Sequence, residues 1–98
     1  MNFYKTTKWI RKRSIILKRD KYECRECKRY GKVREAKVVH HIYPLEIFLE
    51  LALININLLS LCSTCHESMH IRKSHELTRK GIEWTNRIGP PHSLKAEK

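Results

Sequence analysis

The alternation of hydrophobic and polar positions first predicts a basic amphipathic helix near the N-terminus. From Thr7 to Arg19, the apolar residues fall near one helical face and lysines and arginines occupy the rest. The apolar stripe consists of Trp9, Ile10, Ile16 and Leu17. A threonine at position 6 or 7 suits the N-cap, because its hydroxyl accepts a free N–H of the first turn. We expect the stripe to face a core, with the basic face either solvated or in contact with phosphates.

The middle of the chain has the pattern of shorter elements. Val33 to His41 has the pattern of a strand, whereas Leu45 to Leu53 has the apolar spacing of a short helix. Leu58 to Leu61 is too short for its type to be assigned. Because successive side chains of a strand alternate, His40 and the histidine after it are expected to point to opposite sides.

The C-terminal half has weaker signals. Ser63 or Thr64 is expected to begin a helix that carries residues 65–70. Glu76 to Trp84 has a second, fainter helical pattern, which the sequence Gly89-Pro90-Pro91 ends. We expect the residues after this break to be loose.

Four cysteines form two Cys-x-x-Cys pairs, Cys24 with Cys27 and Cys62 with Cys65. Two such pairs separated by a long loop are typical of tetrahedral zinc bound by four thiolates. Two disulfides, a redox dithiol and four unrelated core cysteines are the alternatives. A structural zinc ion would join the early turn to the late helix and would close the loop that contains both central histidines.

Composition and charge narrow the class of partner. The chain has 98 residues, which predicts one small domain, and a net charge of +11, which favours a polyanion and nucleic acid first. Neither a signal peptide nor an apolar run of membrane-spanning length is visible. We therefore expect no membrane partner and a reducing, cytoplasmic setting, in which thiols bind metal more often than they pair.

The histidines add a second candidate metal site. His66 and His70 are four residues apart, so on a helix they share a face and suit one metal ion. Asp20 is the only aspartate of the chain. A metal site must therefore be built mainly from histidine and cysteine, with glutamate as the only other acid.

These motifs together resemble the HNH endonuclease family, in the zinc-stapled form found in phages and mobile elements. The resemblance is carried by Cys24-x-x-Cys27, His40-His41-Ile-Tyr-Pro44, Asn57 and Cys62-x-x-Cys65-His66, in this order. It implies a small α+β fold: a ββα-metal (His-Me finger) core with a four-cysteine structural zinc and flanking helices. The expected organisation is a basic N-terminal helix over residues 1–21 that packs on the core, the HNH domain over 22–74, and a partly loose basic extension over 75–98.

The resemblance also implies roles for individual residues. The family's three letters correspond to His41, Asn57 and His66. His41 is then the general base, and Asn57 orients it or its loop. His40 and His66, with His70 as a third candidate, would hold one catalytic divalent ion: magnesium, manganese, nickel, cobalt or zinc. Many members have aspartate in place of His40, and imidazole ligands favour the softer ions of this set.

The expected function is metal-dependent hydrolysis of DNA phosphodiester bonds to 5′-phosphate and 3′-hydroxyl products. Phosphate contacts are expected from basic residues near both ends of the core: Lys8, Arg11, Lys12, Arg72 and Lys73. The resemblance also suggests a phage packaging (terminase) protein as a partner and the cytoplasm of a bacterial host as the setting. A non-catalytic zinc module that binds nucleic acid is the main alternative, and a zinc-stapled protein-interaction module is a third class.

Overall fold

A computed structural model describes residues 2–71 and 76–94 of the chain. Its helices and strands are α1 (Thr7–Arg19), α2 (Arg25–Arg29), β1 (Val38–His41), β2 (Leu58–Leu61), α3 (Ser63–Glu67), α4 (Arg79–Ile88) and α5 (Pro91–Leu94). Short 3-10 helices occupy Phe3–Lys5, Leu49–Leu51 and Asn55–Asn57. This is the small α+β architecture that the family resemblance implies.

The two strands form an antiparallel hairpin that separates two apolar clusters. His40 lies opposite Leu59 and His41 lies opposite Leu58. One cluster combines α1 with one face of the sheet and contains Trp9, Ile16, Leu17, Ala36, Val39 and Leu58. The other contains Ile42, Leu59, Leu61, Met69 and Trp84 together with cysteines. Consecutive residues of β1 therefore face different environments.

Helix α1 has the predicted bounds because its start is capped and its apolar stripe is buried. The Thr6 hydroxyl accepts the Trp9 N–H at 3.2 Å. Trp9, Ile16 and Leu17 are buried, whereas Ile10 is 57% exposed. Ile10 was expected in the stripe, but it follows Trp9 and is turned from it by one residue step, about 100°.

Residues at the C-terminal end of α1 form hydrogen bonds with backbone groups on the outer edge of β2. Asp20 accepts the Ser60 N–H at 3.2 Å, and Arg19 donates to the Leu58 carbonyl at 2.7 Å. Burial alone would raise the pKa of Asp20, but hydrogen bonds from Arg19 and Ser60 hold it below its ordinary value. An ion pair thus takes the place of a third strand, which protects an edge that otherwise pairs with other chains.

The predictions for the middle of the chain need two corrections. Only Leu49–Leu51 is helical within 45–53, as a single 3-10 turn, because Asn57 binds the Leu51 carbonyl and redirects the chain. The strand begins at Val38 rather than at residue 33. Before it, Glu35 makes an isolated bridge with the segment that leads into α2.

The C-terminal half also differs from expectation. Helix α3 ends at Glu67, so the two later residues Met69 and His70 lie beyond it. The second helix occupies Arg79–Ile88, shifted towards the C-terminus from the predicted range. Its Gly81 lies so close to the Met69 carbonyl that a Cβ would come within 2.6 Å of that oxygen.

Helices α4 and α5 return to the core. The Trp84 indole N–H donates to the buried carboxylate of Glu26 at 2.9 Å, which ties α4 to α2. Leu94 is 3% exposed, so residues 91–94, which were expected to be loose, are packed on the core as α5, and residues 95–98 lie outside the described residues. No described helix has the length and apolarity that crossing a membrane requires. The division into 1–21, 22–74 and 75–98 stays a prediction.

Candidate metal centres and active site

The four cysteines come together where α2 and α3 begin. Cys24 and Cys62 are the N-cap residues of these helices, and Cys27 and Cys65 lie one turn further on. The Cys27 sulfur is 3.9 Å from that of Cys62 and 3.7 Å from that of Cys65. Four sulfurs about 2.3 Å from one tetrahedral ion are about 3.8 Å from one another. The cluster is therefore placed to bind a metal ion.

Of the three thiols whose pKa is shifted, only that of Cys62 is shifted towards the thiolate, which is the form that binds metal. Burial alone would raise the pKa of Cys62, but hydrogen bonds from the Cys65 backbone and from neighbouring thiols lower it to about 7. Burial raises the pKa of Cys27, and burial and hydrogen bonds to the other thiols raise that of Cys65. Binding of a cation, which favours thiolates, must therefore release protons.

Three histidines form a second cluster on the face of β1 that packs against α3. One ring nitrogen from each of His40, His66 and His70 lies within 4.8 Å of the others. The His40 and His66 ring centroids are 5.3 Å apart, and those of His40 and His70 are 5.1 Å apart. The cluster contains no carboxylate among the residues described. Imidazole nitrogens are thus the protein ligands that this site offers.

Burial and neighbouring charges favour the neutral form of the His40 and His66 imidazoles, which is the form that binds metal. His40 is 2% exposed, and its Nε2 has no hydrogen-bond partner within residues 2–71 and 76–94. Burial, and then the charges of the neighbouring histidines, hold its pKa well below the ordinary value. Burial and His70 likewise lower the pKa of His66. Neutral imidazoles bind metal, so a cation fits this site.

His70 reaches the cluster through backbone pairing rather than through a helix. It lies past the end of α3 and forms an isolated bridge with Leu77. The Thr78 N–H donates to the Met69 carbonyl at 2.9 Å, so the start of α4 holds this segment. The predicted helical spacing of His66 and His70 is therefore wrong, although the two side chains still meet.

His41 points to the opposite face of β1, as the alternation predicts. Its ring stacks on that of Trp9, with centroids 4.9 Å apart and an interplanar angle of 25°. Its Nε2 lies 3.1 Å from the Ala52 carbonyl oxygen. A carbonyl only accepts, so Nε2 carries the proton and Nδ1 has a free lone pair. Burial lowers the pKa of His41, against the opposing effects of the Ala52 bond and the Glu46 charge.

Asn57 fixes the loop that supplies the Ala52 carbonyl. It is fully buried, and its Oδ1 accepts the Tyr43 N–H at 2.7 Å. Its Nδ2 donates to the carbonyls of Tyr43 and Leu51 at 3.3 and 3.2 Å. The amide therefore joins both ends of the segment that follows the histidine pair.

Comparison with known proteins assigns these features to a family. The family model for HNH endonuclease matches residues 24–72. The chain belongs to the HNH endonuclease family. A crystal structure of a deep-sea thermophilic bacteriophage GVE2 HNH endonuclease with manganese ion is similar, with 34% identity and a TM-score of 0.66. The match covers 89% of this chain and 83% of that one. No curated protein matches.

Of the basic residues expected to bind phosphate, the three that the structure describes lie outside the two clusters of this HNH endonuclease. Lys8 and Arg11 are exposed on α1, whereas Lys12 donates to the Asn55 side chain. Arg72 and Lys73 lie outside the described residues. Their contact with nucleic acid stays a prediction.

Two contacts of the endonuclease site were not foreseen from sequence. Trp9 was expected only in the core, yet it also covers the ring of His41. The Tyr43 hydroxyl donates to the Gly89 carbonyl at 2.6 Å and so links the histidine motif to the end of α4. The sequence gives no signal for the contact of Trp9 with His41, because core packing explains a bulky aromatic residue in an apolar stripe equally well.

Proposed function

We propose that this HNH endonuclease hydrolyses DNA phosphodiester bonds in a metal-dependent reaction, with His41 as the general base. The single observation that carries the proposal is the arrangement around β1. His40 presents its imidazole to His66 and His70 on one side, and the next residue presents a neutral imidazole held by the Ala52 carbonyl on the other. A candidate ion site and a candidate base thus come from consecutive residues.

The side chains of His41 and Asn57 account for the activation of the attacking water. His41 takes a proton from water at Nδ1, and its lowered pKa keeps that nitrogen unprotonated at neutral pH. The water oxygen forms a bond to phosphorus as the bond to the 3′ oxygen breaks, and the 3′ oxygen gains a proton from solvent. The products are a 5′-phosphate and a 3′-hydroxyl. Asn57 has a positioning role, because it holds the loop that orients the base.

The histidine cluster would hold the catalytic ion through His40, His66 and His70. When bound, a divalent ion neutralises charge on the scissile phosphate and on the departing oxygen. The manganese of the phage relative and the all-imidazole ligand set favour manganese, nickel, cobalt or zinc over magnesium. The four cysteines are proposed to hold a structural zinc ion, because tetrahedral thiolate sites suit zinc.

DNA is the proposed substrate because the chain has a net charge of +11 and the family consists of endonucleases. The phage relative also supports a phage or mobile-element origin. A terminase partner and a bacterial cytoplasmic setting stay predictions of the family resemblance.

The proposal is tested by cleavage of supercoiled plasmid with a panel of divalent ions. Wild type is expected to cleave, whereas His41→Ala should bind DNA normally and lose cleavage by at least about a hundredfold. His92→Ala removes an exposed histidine of α5 and is the matched control. Absence of cleavage in every ion, with DNA binding retained, would establish the non-catalytic module instead. Zinc analysis after EDTA dialysis should give about one ion per chain.

A further inference from the structure

A basic groove lies apart from both clusters, beside the outer edge of β2. It consists of two adjoining cavities of about 400 and 310 Å³, which share Arg19 and Arg25. Five cations and one acid among the lining residues give it a net charge of about +4: Arg19, Lys21, Arg25, Lys28, Arg87 and Asp20. We call this surface the arginine groove. Such a concentration of charge in a concave surface favours an anionic ligand.

Arg25 and Arg87 are the two cations of the groove whose exposed guanidinium groups are best placed to bind a ligand. Arg19 donates to Asp20 and to the carbonyls of Asn55 and Leu58. Arg25 is only within 3.8 Å of that aspartate, and 42% of its side chain is exposed. Arg87 is exposed and its guanidinium lies 4.8 Å from the centre of the Trp84 ring, with that of Arg25 at 5.7 Å. Stacking on the indole orients both guanidinium groups and leaves N–H donors for a ligand.

The floor of the arginine groove is apolar and buried, and its exposed charged groups are mainly cationic. Ile42, Leu59 and Trp84 line it, but each is at most 3% exposed. Two isoleucines also line it: Ile56, which is 46% exposed, and Ile88, which is half-buried. The guanidinium and ammonium groups suit a row of phosphates, and an acidic peptide with apolar anchors is the alternative that the test below distinguishes.

The position of the floor relates the groove to the histidine cluster. Leu59 lies directly opposite His40 in the sheet, and Ile42 is two residues beyond it. Directly opposed residues, and residues two apart in an extended chain, lie on the same face of the sheet. The floor of the groove therefore belongs to the face that carries the His40 side chain.

We propose that the arginine groove binds backbone phosphates of the DNA that flank the phosphate cleaved at the histidine cluster, with Arg25 and Arg87 as the main donors. The inference rests on the proposed function. It differs from the sequence-based expectation, which places phosphate contacts on α1 and after His70. Such contacts position the duplex without reading its sequence.

The test compares two double variants that each remove two positive charges. Arg25→Gln/Arg87→Gln alters the groove, and Lys32→Gln/Arg34→Gln alters two exposed cations of the loop before β1. Binding of a 20-base-pair duplex is measured by fluorescence anisotropy over a salt series, with His41→Ala in the background to prevent cleavage. The groove variant should bind at least about tenfold more weakly, and its log–log salt slope should fall by about 2. The control should change much less.

Other outcomes overturn the proposal. Equal losses in both double variants would indicate a general charge effect, and an unchanged salt slope in the groove variant would exclude phosphate contacts there. If a poly-glutamate peptide binds wild type but not the groove variant, while DNA binding is unchanged, the groove serves an acidic protein segment. If the glutamine double variant unfolds, the single variant Arg87→Gln must lower the salt slope by about 1, and an unchanged slope in that variant would overturn the proposal.

Cleavage separates failure of the groove from failure of the proposed function. With His41 intact, the groove variant should cleave the 20-base-pair duplex more slowly than wild type at low DNA concentration, and as fast as wild type at saturating concentration. If neither protein cleaves any DNA, the proposed function fails. If both proteins cleave equally fast at all DNA concentrations, only the groove proposal fails.

Discussion

Replacing Asn57 with aspartate tests the loop anchor, because it keeps the shape of the side chain and exchanges its donor group for an oxygen. The amide nitrogen donates to the carbonyls of Tyr43 and Leu51 in a fully buried site. At pH 8 both hydrogen bonds are lost, and carboxylate oxygens then face carbonyl oxygens. Each unsatisfied buried group costs about 1–3 kcal/mol, so the free energy of unfolding should fall by about 2–6 kcal/mol.

The loss is large relative to the stability of a small domain, which is about 5–15 kcal/mol. With a urea dependence of about 2 kcal/mol per molar, it moves the unfolding midpoint by about 1–3 M. The assay is urea unfolding of the zinc-loaded protein, followed by fluorescence of Trp9 and Trp84, which are 4% and 3% exposed. Cleavage should fall about 10–100-fold, because the loop that supports His41 is displaced.

The pH dependence distinguishes this mechanism from general disruption. Burial raises the pKa of an introduced carboxyl group, so a larger fraction of the new side chain is protonated at pH 5 than at pH 8, and the protonated form can donate to one carbonyl again. Relative to wild type at the same pH, Asn57→Asp should therefore lose less stability at pH 5 than at pH 8. Asn57→Ala should show no such difference. Asn86→Asp makes the same change on the exposed side of α4 and should cost less than about 0.5 kcal/mol. A loss below this value for Asn57→Asp at pH 8 would refute the reasoning.

Three further predictions concern other parts of the fold. Gly81→Ala should lower the melting temperature, because its Cβ meets the Met69 carbonyl; helix propensity alone predicts about 1 kcal/mol of stabilisation, so a higher melting temperature would exclude the clash. Trp9→Ala should cost about 3–5 kcal/mol of stability and reduce kcat, whereas Trp9→Phe should restore most of kcat. Equal kcat in both variants would show that Trp9 does not position His41. Without a catalytic ion, the free energy of unfolding should fall as pH decreases below 6.5, the ordinary pKa of histidine, because the lowered pKa of His40 makes the unfolded chain bind more protons. His40→Gln should weaken this fall, and an unchanged pH profile in that variant would contradict the assignment.

The features that were predictable from sequence depend on local rules or fixed spacing. Helix α1 followed from a capping threonine and a long apolar stripe, and these need no knowledge of the rest of the chain. The divergence of His40 and His41 followed from the alternation of a strand. The two cysteine pairs indicated a common site because few other arrangements explain their spacing.

The features that were not predictable depend on contacts between distant residues. The segment 45–53 has helical spacing, but Asn57 binds the Leu51 carbonyl and allows only one 3-10 turn. The segment 58–61 is apolar at most positions, so periodicity does not identify it as a strand. The arginine groove combines the end of α1, α2 and the end of α4, which lie far apart in the sequence, and its charges are indistinguishable there from other surface cations.

The central claim is that the fold builds two separate metal centres, one of thiolates and one of imidazoles. Anomalous diffraction at the zinc and manganese edges, from crystals of the zinc-purified protein soaked in manganese, tests it most directly. The account predicts zinc on the four cysteines and manganese bound to ring nitrogens of His40, His66 and His70. Disulfide density at the cysteines, or manganese bound elsewhere while the histidine cluster stays empty under conditions that support cleavage, would contradict it.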